Sequence, residues 1–159
     1  MDPFVPVAGG CACDQLRYRL VERPLIVQAC HCRHCQRESG SAFAHNLLIE
    51  RAALEILSGQ PQFADVPTAS GLGQRVARCP LCHVAVWSHY GVSHPGIAFV
   101  RVGTLDAPDA FPPQAHIFVA TKQPWLILPE DVPAFPAFYE LAQMWSADSL
   151  ARLARLQGA

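Results

Sequence analysis

Cys30-His31-Cys32-Arg33-His34-Cys35-Gln36-Arg37-Glu38-Ser39-Gly40-Ser41-Ala42-Phe43 carries three thiols within its first six residues, and the reading of the whole chain turns on what those thiols do. In an extended chain Cys30 and Cys32 face one side and His31 the other, because strand side chains alternate. His34 falls inside the turn, so neither histidine is well placed beside the sulfurs. Three protein ligands with a fourth position left over is the pattern of a catalytic zinc, whereas a structural zinc takes four. The alternatives are closure of the set by His45, His83 or His116 arriving from elsewhere, and a different pairing of the cysteine clusters.

Outward from this run lie two further thiol pairs. Cys11-Ala12-Cys13 is a C-x-C pair whose sulfurs share one face of an extended chain. Cys79-Pro80-Leu81-Cys82 is a C-x-x-C turn, a spacing that lets two thiolates reach one ion at about 2.3 Å. A redox role for Cys79 and Cys82 is disfavoured because the residues that follow, Val84 to Ser88, read as strand and not as the helix of a thioredoxin-like unit. Joined, Cys11, Cys13, Cys79 and Cys82 make a closed four-thiolate shell, whose metal is structural and linked to folding. Seven cysteines in three tight clusters, with no basic n-region and apolar core at the start of the chain, argue for metal ligation in a reducing, cytoplasmic setting rather than for a disulfide framework.

Composition narrows the remaining classes. The 159 residues are 51% apolar, enough for one ordinary core, and 12 basic residues against 13 acidic ones give a formal net charge of -1. That balance supplies no electrostatic footprint for nucleic acid and no attraction to an anionic membrane. No apolar run approaches bilayer length.

Fourteen prolines and ten glycines cut the chain into short pieces that favour strand, so the fold class is mainly β, built of short antiparallel strands. Strands are expected at Gln15 to Val21, Phe43 to Ile49, Gln74 to Ala77, Val84 to Ser88, Ile97 to Val102 and Ala115 to Val119. Gln36 to Ser41 reads as a turn or single helical turn, and Pro61 to Gly73 as a loop long enough to cover a site. Residues 133–159 differ: Pro133 to Tyr139 is rich in proline and aromatics, and Leu141, Met144, Leu150, Leu153 and Leu156 then recur at helical spacing. The expected organisation is a zinc-binding β domain over 1–132 and a helical extension over 133–159. The extension docks on that domain or on a partner, a second copy of the chain included.

The order of motifs resembles one family. G-G-C-x-C at Gly9 to Cys13, C-H-C-x-x-C-Q-R-x-x-G-S-A-F at Cys30 to Phe43, C-P-x-C at Cys79 to Cys82, G-x-L-D-x-P at Gly103 to Pro108 and P-x-A-H-I-F-x-x-x-x-x-P-W-L at Pro113 to Leu126 look like the glutathione-dependent formaldehyde-activating enzymes, which include centromere protein V. The resemblance implies a β-tent fold with two zinc ions. Cys11, Cys13, Cys79 and Cys82 would hold a structural zinc, and Cys30, Cys32 and Cys35 a catalytic one, the same partition that spacing suggests. It also implies glutathione as the thiol and carbon-sulfur lyase as the reaction class. The family usually has glycine directly after C-x-C and after C-x-x-C, where this chain has Asp14 and His83. Asp adopts the left-handed conformation more readily than His does.

Glutathione carries two carboxylates, so a nearby cation is expected. Arg37 is the first candidate, its competing reading being a surface pair with Glu38 or Glu50. Ser39, Gly40 and Ser41 are candidate hydroxyl or backbone N–H donors. His116 and Trp125 are candidates for a pocket wall, with core packing the simpler account of each. The competing class is a non-catalytic zinc module that binds a protein partner, which calls for a closed second site.

Overall fold

The computed structural model describes residues 3–68, 70–90 and 96–158. Ten strands form two sheets. The smaller contains β1 (Val7–Gly10), β2 (Arg17–Leu20) and β5 (Leu54–Ser58), in the order β1-β2-β5. The larger contains β3 (Ile26–Cys30), β4 (Ala44–Glu50), β6 (Gln62–Val66), β7 (Gln74–Arg78), β8 (Ala85–His89), β9 (Ile97–Arg101) and β10 (Ala115–Ile117). Its order is β10-β3-β4-β9-β8-β7-β6. Among the described residues there are also three short α-helices, α1 (Arg33–Ser39), α2 (Leu141–Met144) and α3 (Ala147–Gln157), and four single turns of 3-10 helix.

The mainly β class holds, with two corrections of detail. The body is mixed and not wholly antiparallel, because β10 runs parallel to β3, with His116 opposite Ala29. The span Pro61 to Gly73 is not all loop. Gln62–Val66 forms β6, paired to β7 with Phe63 opposite Ala77, and a shorter connection remains. β6 escapes sequence reading because it is an edge strand whose apolar residue Phe63 is 39% exposed, so no buried face imposes alternation. The helical turn at Gln36 to Ser41 is the second half of α1, which starts earlier, with Cys32 as N-cap, and ends on Gly40 at φ 64°.

Alternation along the central strands creates two cores. Leu47 and Ile49 of β4, with Ala98 and Val100 of β9, pack with Leu16, Tyr18, Leu20, Val86 and Trp87 between the sheets. Their neighbours Leu48, Ile97 and Phe99 point the other way and meet Leu25, Ile26, Ile117, Tyr139, Trp145 and Leu153. The C-terminal tail is therefore the lid of the second core. Gly9 permits the first core to close: a Cβ there would stand 2.6 Å from the Thr104 carbonyl oxygen and 2.7 Å from the Tyr18 hydroxyl.

The tail's helical spacing is realised as two helices separated at Trp145 and Ser146, and it is tied down by polar contacts as well. Ser146 caps α3 by accepting from the Ser149 N–H at 3.0 Å. Arg152 donates to both Glu50 oxygens, at 2.7 and 2.5 Å, and to the Arg23 carbonyl at 2.8 Å. The pair is largely desolvated, with side chains 7% and 15% exposed, so removing one partner strands the other's charge. Arg152→Ala should cost on the order of 3 kcal/mol, read as a lower midpoint in urea unfolding followed by circular dichroism.

Candidate metal centre and adjoining cavity

Two groups of cysteines converge, and they are the groups that spacing suggests. The sulfurs of Cys11, Cys13, Cys79 and Cys82 all lie within 4.8 Å of one another, as do those of Cys30, Cys32 and Cys35. All seven are free of disulfides. A tetrahedral zinc with bonds of about 2.3 Å has S···S edges of about 3.8 Å. The Cys11–Cys13 and Cys13–Cys79 sulfur separations are 3.6 and 3.7 Å, so the four-sulfur group already has the dimensions of such a shell.

The backbone explains how. Each pair sits in a tight turn that folds back on itself: the Cys11 N–H donates to the Leu16 carbonyl and the Cys79 N–H to that of Val84, both at 3.0 Å. The residue after each pair takes the left-handed conformation, Asp14 at φ 57° and His83 at φ 61°. These are the two positions where glycine is usual, and here the strain is carried by exposed side chains. The Leu16 and Leu81 N–H groups point at the Cys11 and Cys79 sulfurs, at 3.3 and 3.4 Å, a geometry that favours thiolate. The Cys82 thiol is lowered to about 6, chiefly by the Val84 N–H and further by the other thiols.

The three-sulfur group is built by the end of β3 and the start of α1. The Cys35 N–H donates to the Cys32 sulfur at 3.3 Å. Thiol groups of Cys30 and Cys35, aided by backbone N–H groups, hold Cys32 far below the ordinary thiol value. Cys30 is pushed up to about 12 by its hydrogen bond with Cys32 and by burial, and Cys35 is raised further still by its two neighbours. Charges this close repel, so ionising all three sulfurs together is disfavoured without a compensating cation. Three thiolates together require a cation, and a soft-ligand set of this kind fits zinc. No histidine nitrogen among the described residues joins either group.

His31 and His116 lie elsewhere. On β3, β4 and β10 the side chains of Ala29, His45 and His116 share a row, and His31 continues that face. His31 Nε2 stands 2.9 Å from His116 Nδ1, and both rings are buried. Burial lowers His31 to about 4 and lowers His116 and His45 as well, so all three are neutral at physiological pH. Their remaining nitrogens, His31 Nδ1, His45 Nε2 and His116 Nε2, are buried without a partner among the described residues.

The opposite row, Gln28, Cys30, Asn46 and Leu48, lines a cavity of about 420 Å³ together with Cys32, His34 and Cys35. All three residues of the trio thus border this cavity, Cys30 and Cys35 each only 6% exposed. Arg37, Ser39, Gly40, Ser41 and His116 do not line it. Ser39 Oγ donates to the Cys35 carbonyl at 2.7 Å, closing α1, and Gly40 is its left-handed cap. Arg37 is exposed, and the proposed surface pairs are not formed: Glu38 is held by Arg78 and Arg101, each at 2.6 Å, and Glu50 by Arg152. Trp125 is 69% exposed and neither core nor cavity wall.

Sequence reading missed the aromatic walls, Tyr90, Phe99, Phe118, Phe138 and Trp145. Only the aromatic composition of residues 133–139 signalled any of them. It also missed Glu38, 4% exposed between two arginines, which ties α1 to β7 and β9.

A mainly β domain with a four-thiol cluster and a three-thiol cluster beside a cavity defines a class of protein whose thiols could hold metal ions. The family described as glutathione-dependent formaldehyde-activating enzyme matches residues 6–121, most of the chain, and this protein belongs to that family. No curated protein matches it. A crystal structure of a Rhodobacter sphaeroides protein is similar over 80% of this chain and 98% of its own, at 17% identity and a TM-score of 0.49.

Glu38→Gln should cost on the order of 2–4 kcal/mol, because both arginines lose their counter-charge in a largely desolvated site. Thermal unfolding reads the loss, and Glu38→Asp should recover part of it.

Proposed function

We propose that the protein is a carbon-sulfur lyase-like enzyme acting on a glutathione adduct, with one structural and one catalytic zinc. The observation that carries this reading is that Cys30, Cys32 and Cys35, whose sulfurs converge, all line a cavity, while the sulfurs of Cys11, Cys13, Cys79 and Cys82 converge as a second, four-membered group. Zinc in the open set supplies positive charge that favours the thiolate form of an entering thiol, and Lewis acidity toward a carbonyl oxygen. The reaction is addition of the glutathione sulfur to an aldehyde carbon, with the thiol proton ending on the new hydroxyl, and its reverse.

The chain's own groups divide the remaining work. Cys30, Cys32 and Cys35 would hold the ion beside the cavity. The apolar walls exclude water, which strengthens each electrostatic contact inside. Arg37 lies one helical turn beyond His34, a cavity residue, so it shares that side of α1 and is free to meet a glutathione carboxylate outside the cavity. Ser39, Gly40 and Ser41 follow at the same end of the helix and are proposed as secondary donors. Residues 133–159 are proposed as an extension of the zinc-binding unit over 1–132. The seven free thiols suit a reducing compartment such as the cytoplasm. Among the described residues no helix is long and apolar enough to cross a membrane.

Metal analysis of protein purified without chelator should return about two zinc ions per chain, and one or none in folded protein would overturn the two-site reading. Cys79→Ala should lower thermal stability sharply, because it opens the junction, while Cys32→Ala should lose one zinc and keep its fold. Equal collapse of the two variants would make both sites structural.

Exchange spectroscopy by NMR tests the activity directly. Zinc-replete protein should accelerate exchange between free glutathione with formaldehyde and their adduct, in proportion to protein concentration, and Cys32→Ala should not. Arg37→Ala should weaken glutathione binding by roughly 1.5–3 kcal/mol. An absence of acceleration, with a cobalt spectrum that added thiols leave unchanged, would favour the non-catalytic binding module instead.

A further inference from the structure

The cavity beside Cys30, Cys32 and Cys35 is much larger than formaldehyde and chemically unlike glutathione. Its volume of about 420 Å³ corresponds to on the order of a dozen water molecules, against the two heavy atoms of formaldehyde. Its walls are dominated by Leu48, Tyr90, Phe99, Phe118, Phe138 and Trp145. No lysine or arginine is among the described lining residues, so neither carboxylate of glutathione finds a counter-charge inside.

Most of the polar groups that do line it are already engaged. Gln28 Oε1 accepts from the Tyr139 hydroxyl at 2.7 Å, and Tyr139 in turn accepts from the Trp145 indole N–H at 3.1 Å. Asn46 Oδ1 accepts from Arg101 at 2.5 Å, and His34 Nε2 stands 3.0 Å from Gln74 Oε1. Thr68 and Ser70 bond to each other through their hydroxyls, 3.0 Å apart.

Part of this wall comes from outside the segment that defines the family. The family match ends at residue 121, and Phe138 and Trp145 lie beyond it. The tail is held in place by main-chain bonds to the strand that carries the cavity residue Ile117. The His116 N–H donates to the Pro133 carbonyl and the Phe135 N–H to that of His116, both at 2.8 Å. The Phe118 N–H donates to the Ala137 carbonyl at 3.0 Å, and Phe118 itself is locked at φ 56°, a left-handed conformation costly for an aromatic residue. Strain of this sort persists only where surrounding contacts enforce it, and here they present an aromatic ring to the space in front of the thiols.

We infer that this cavity takes an apolar group of aromatic or branched-alkyl character, roughly a dozen non-hydrogen atoms at most, so that the aldehyde handled here is larger and more hydrophobic than formaldehyde. The inference rests on the proposed thiol-adduct reading for the chemistry, but not for the binding of the apolar group. In the reaction, the glutathione S–H bond breaks, a sulfur–carbon bond forms at the aldehyde carbon, and the proton passes to the former carbonyl oxygen. Nothing is oxidised or reduced. The glutathione moiety stays at the mouth and the apolar substituent enters.

The test uses unreactive ligands and the zinc-loaded full chain labelled with ¹⁵N. S-benzylglutathione, S-methylglutathione and benzyl alcohol are titrated while the Trp145 indole resonance is followed. S-benzylglutathione should bind at least about ten-fold more tightly than S-methylglutathione and shift the Trp145 signal, because the ring buries several additional apolar carbons. Phe138→Ala, in a side chain 42% exposed and so tolerant of truncation, should remove most of that advantage, weakening the benzyl compound several-fold more than the methyl compound. Benzyl alcohol shifting Trp145 while neither glutathione derivative binds would uphold the apolar cavity and defeat the glutathione reading. Equal affinity of the benzyl and methyl compounds, with Trp145 unmoved, would overturn the inference and leave the glutathione reading standing.

Discussion

The junction of Cys11 and Cys13 with Cys79 and Cys82 is the constraint on which the rest of the architecture depends. It joins the end of β1, in the small sheet, to the turn between β7 and β8 of the large sheet, bringing sulfurs 66 residues apart in the chain to 3.7 Å. Around it the small sheet is secured by Arg17, which donates to Asp14 at 3.3 Å and to both oxygens of Asp106. The large sheet is secured by Arg78, the residue before Cys79, which grips Glu38. Because Glu38 lies on α1, the closed thiol junction and the open thiol trio are linked by a single ion pair. Fixing one site orients the other.

Strand alternation then divides the chemistry between two faces. Cys30 of β3 is a neighbour of His31 in sequence, yet the two side chains serve different spaces. Cys30 looks into the cavity with Gln28, Asn46 and Leu48, and His31 looks into a buried histidine row with His116 and His45. The same parity places Ile117 in the cavity wall and His116 behind it. A histidine between Cys30 and Cys32 is thus directed away from the thiol trio by geometry, and burial disfavours its charged form. The trio keeps an open side because the strand period directs the candidate fourth ligand away.

The tail converts an open sheet face into an enclosed site. Without it the second core would expose Leu25, Ile26, Leu48 and Phe99 to water. With it, Trp145 and Leu153 cover that face, and Phe138 reaches the edge of the cavity. The anchoring is shared between apolar contact and the buried pair of Arg152 with Glu50, a residue at the end of the strand that also carries Asn46 and Leu48.

Much of this site was legible in the amino-acid order, for a local reason. Thiol spacing of two or three residues is a property of a single turn, so Cys11 with Cys13, Cys79 with Cys82 and the Cys30 to Cys35 run could be read as ligand sets before any fold was known. Six of the short strands were legible likewise; the edge strands β1, β5 and β6 present no regular buried face, and β3, buried along its whole length between β10 and β4, shows no alternation. The partners of long-range contacts were not legible. Nothing in the string says that Glu38 meets Arg78 and Arg101 instead of Arg37, that Trp125 stands in solvent, or that Phe138 and Trp145 wall the space in front of Cys32. The sequence by itself determined which side chains can hold a metal, because ligation depends on neighbours along the chain. Only the tertiary structure decided which of those thiols border a cavity and how apolar that cavity is, because both are set by pairing between strands and by the docking of a distant tail.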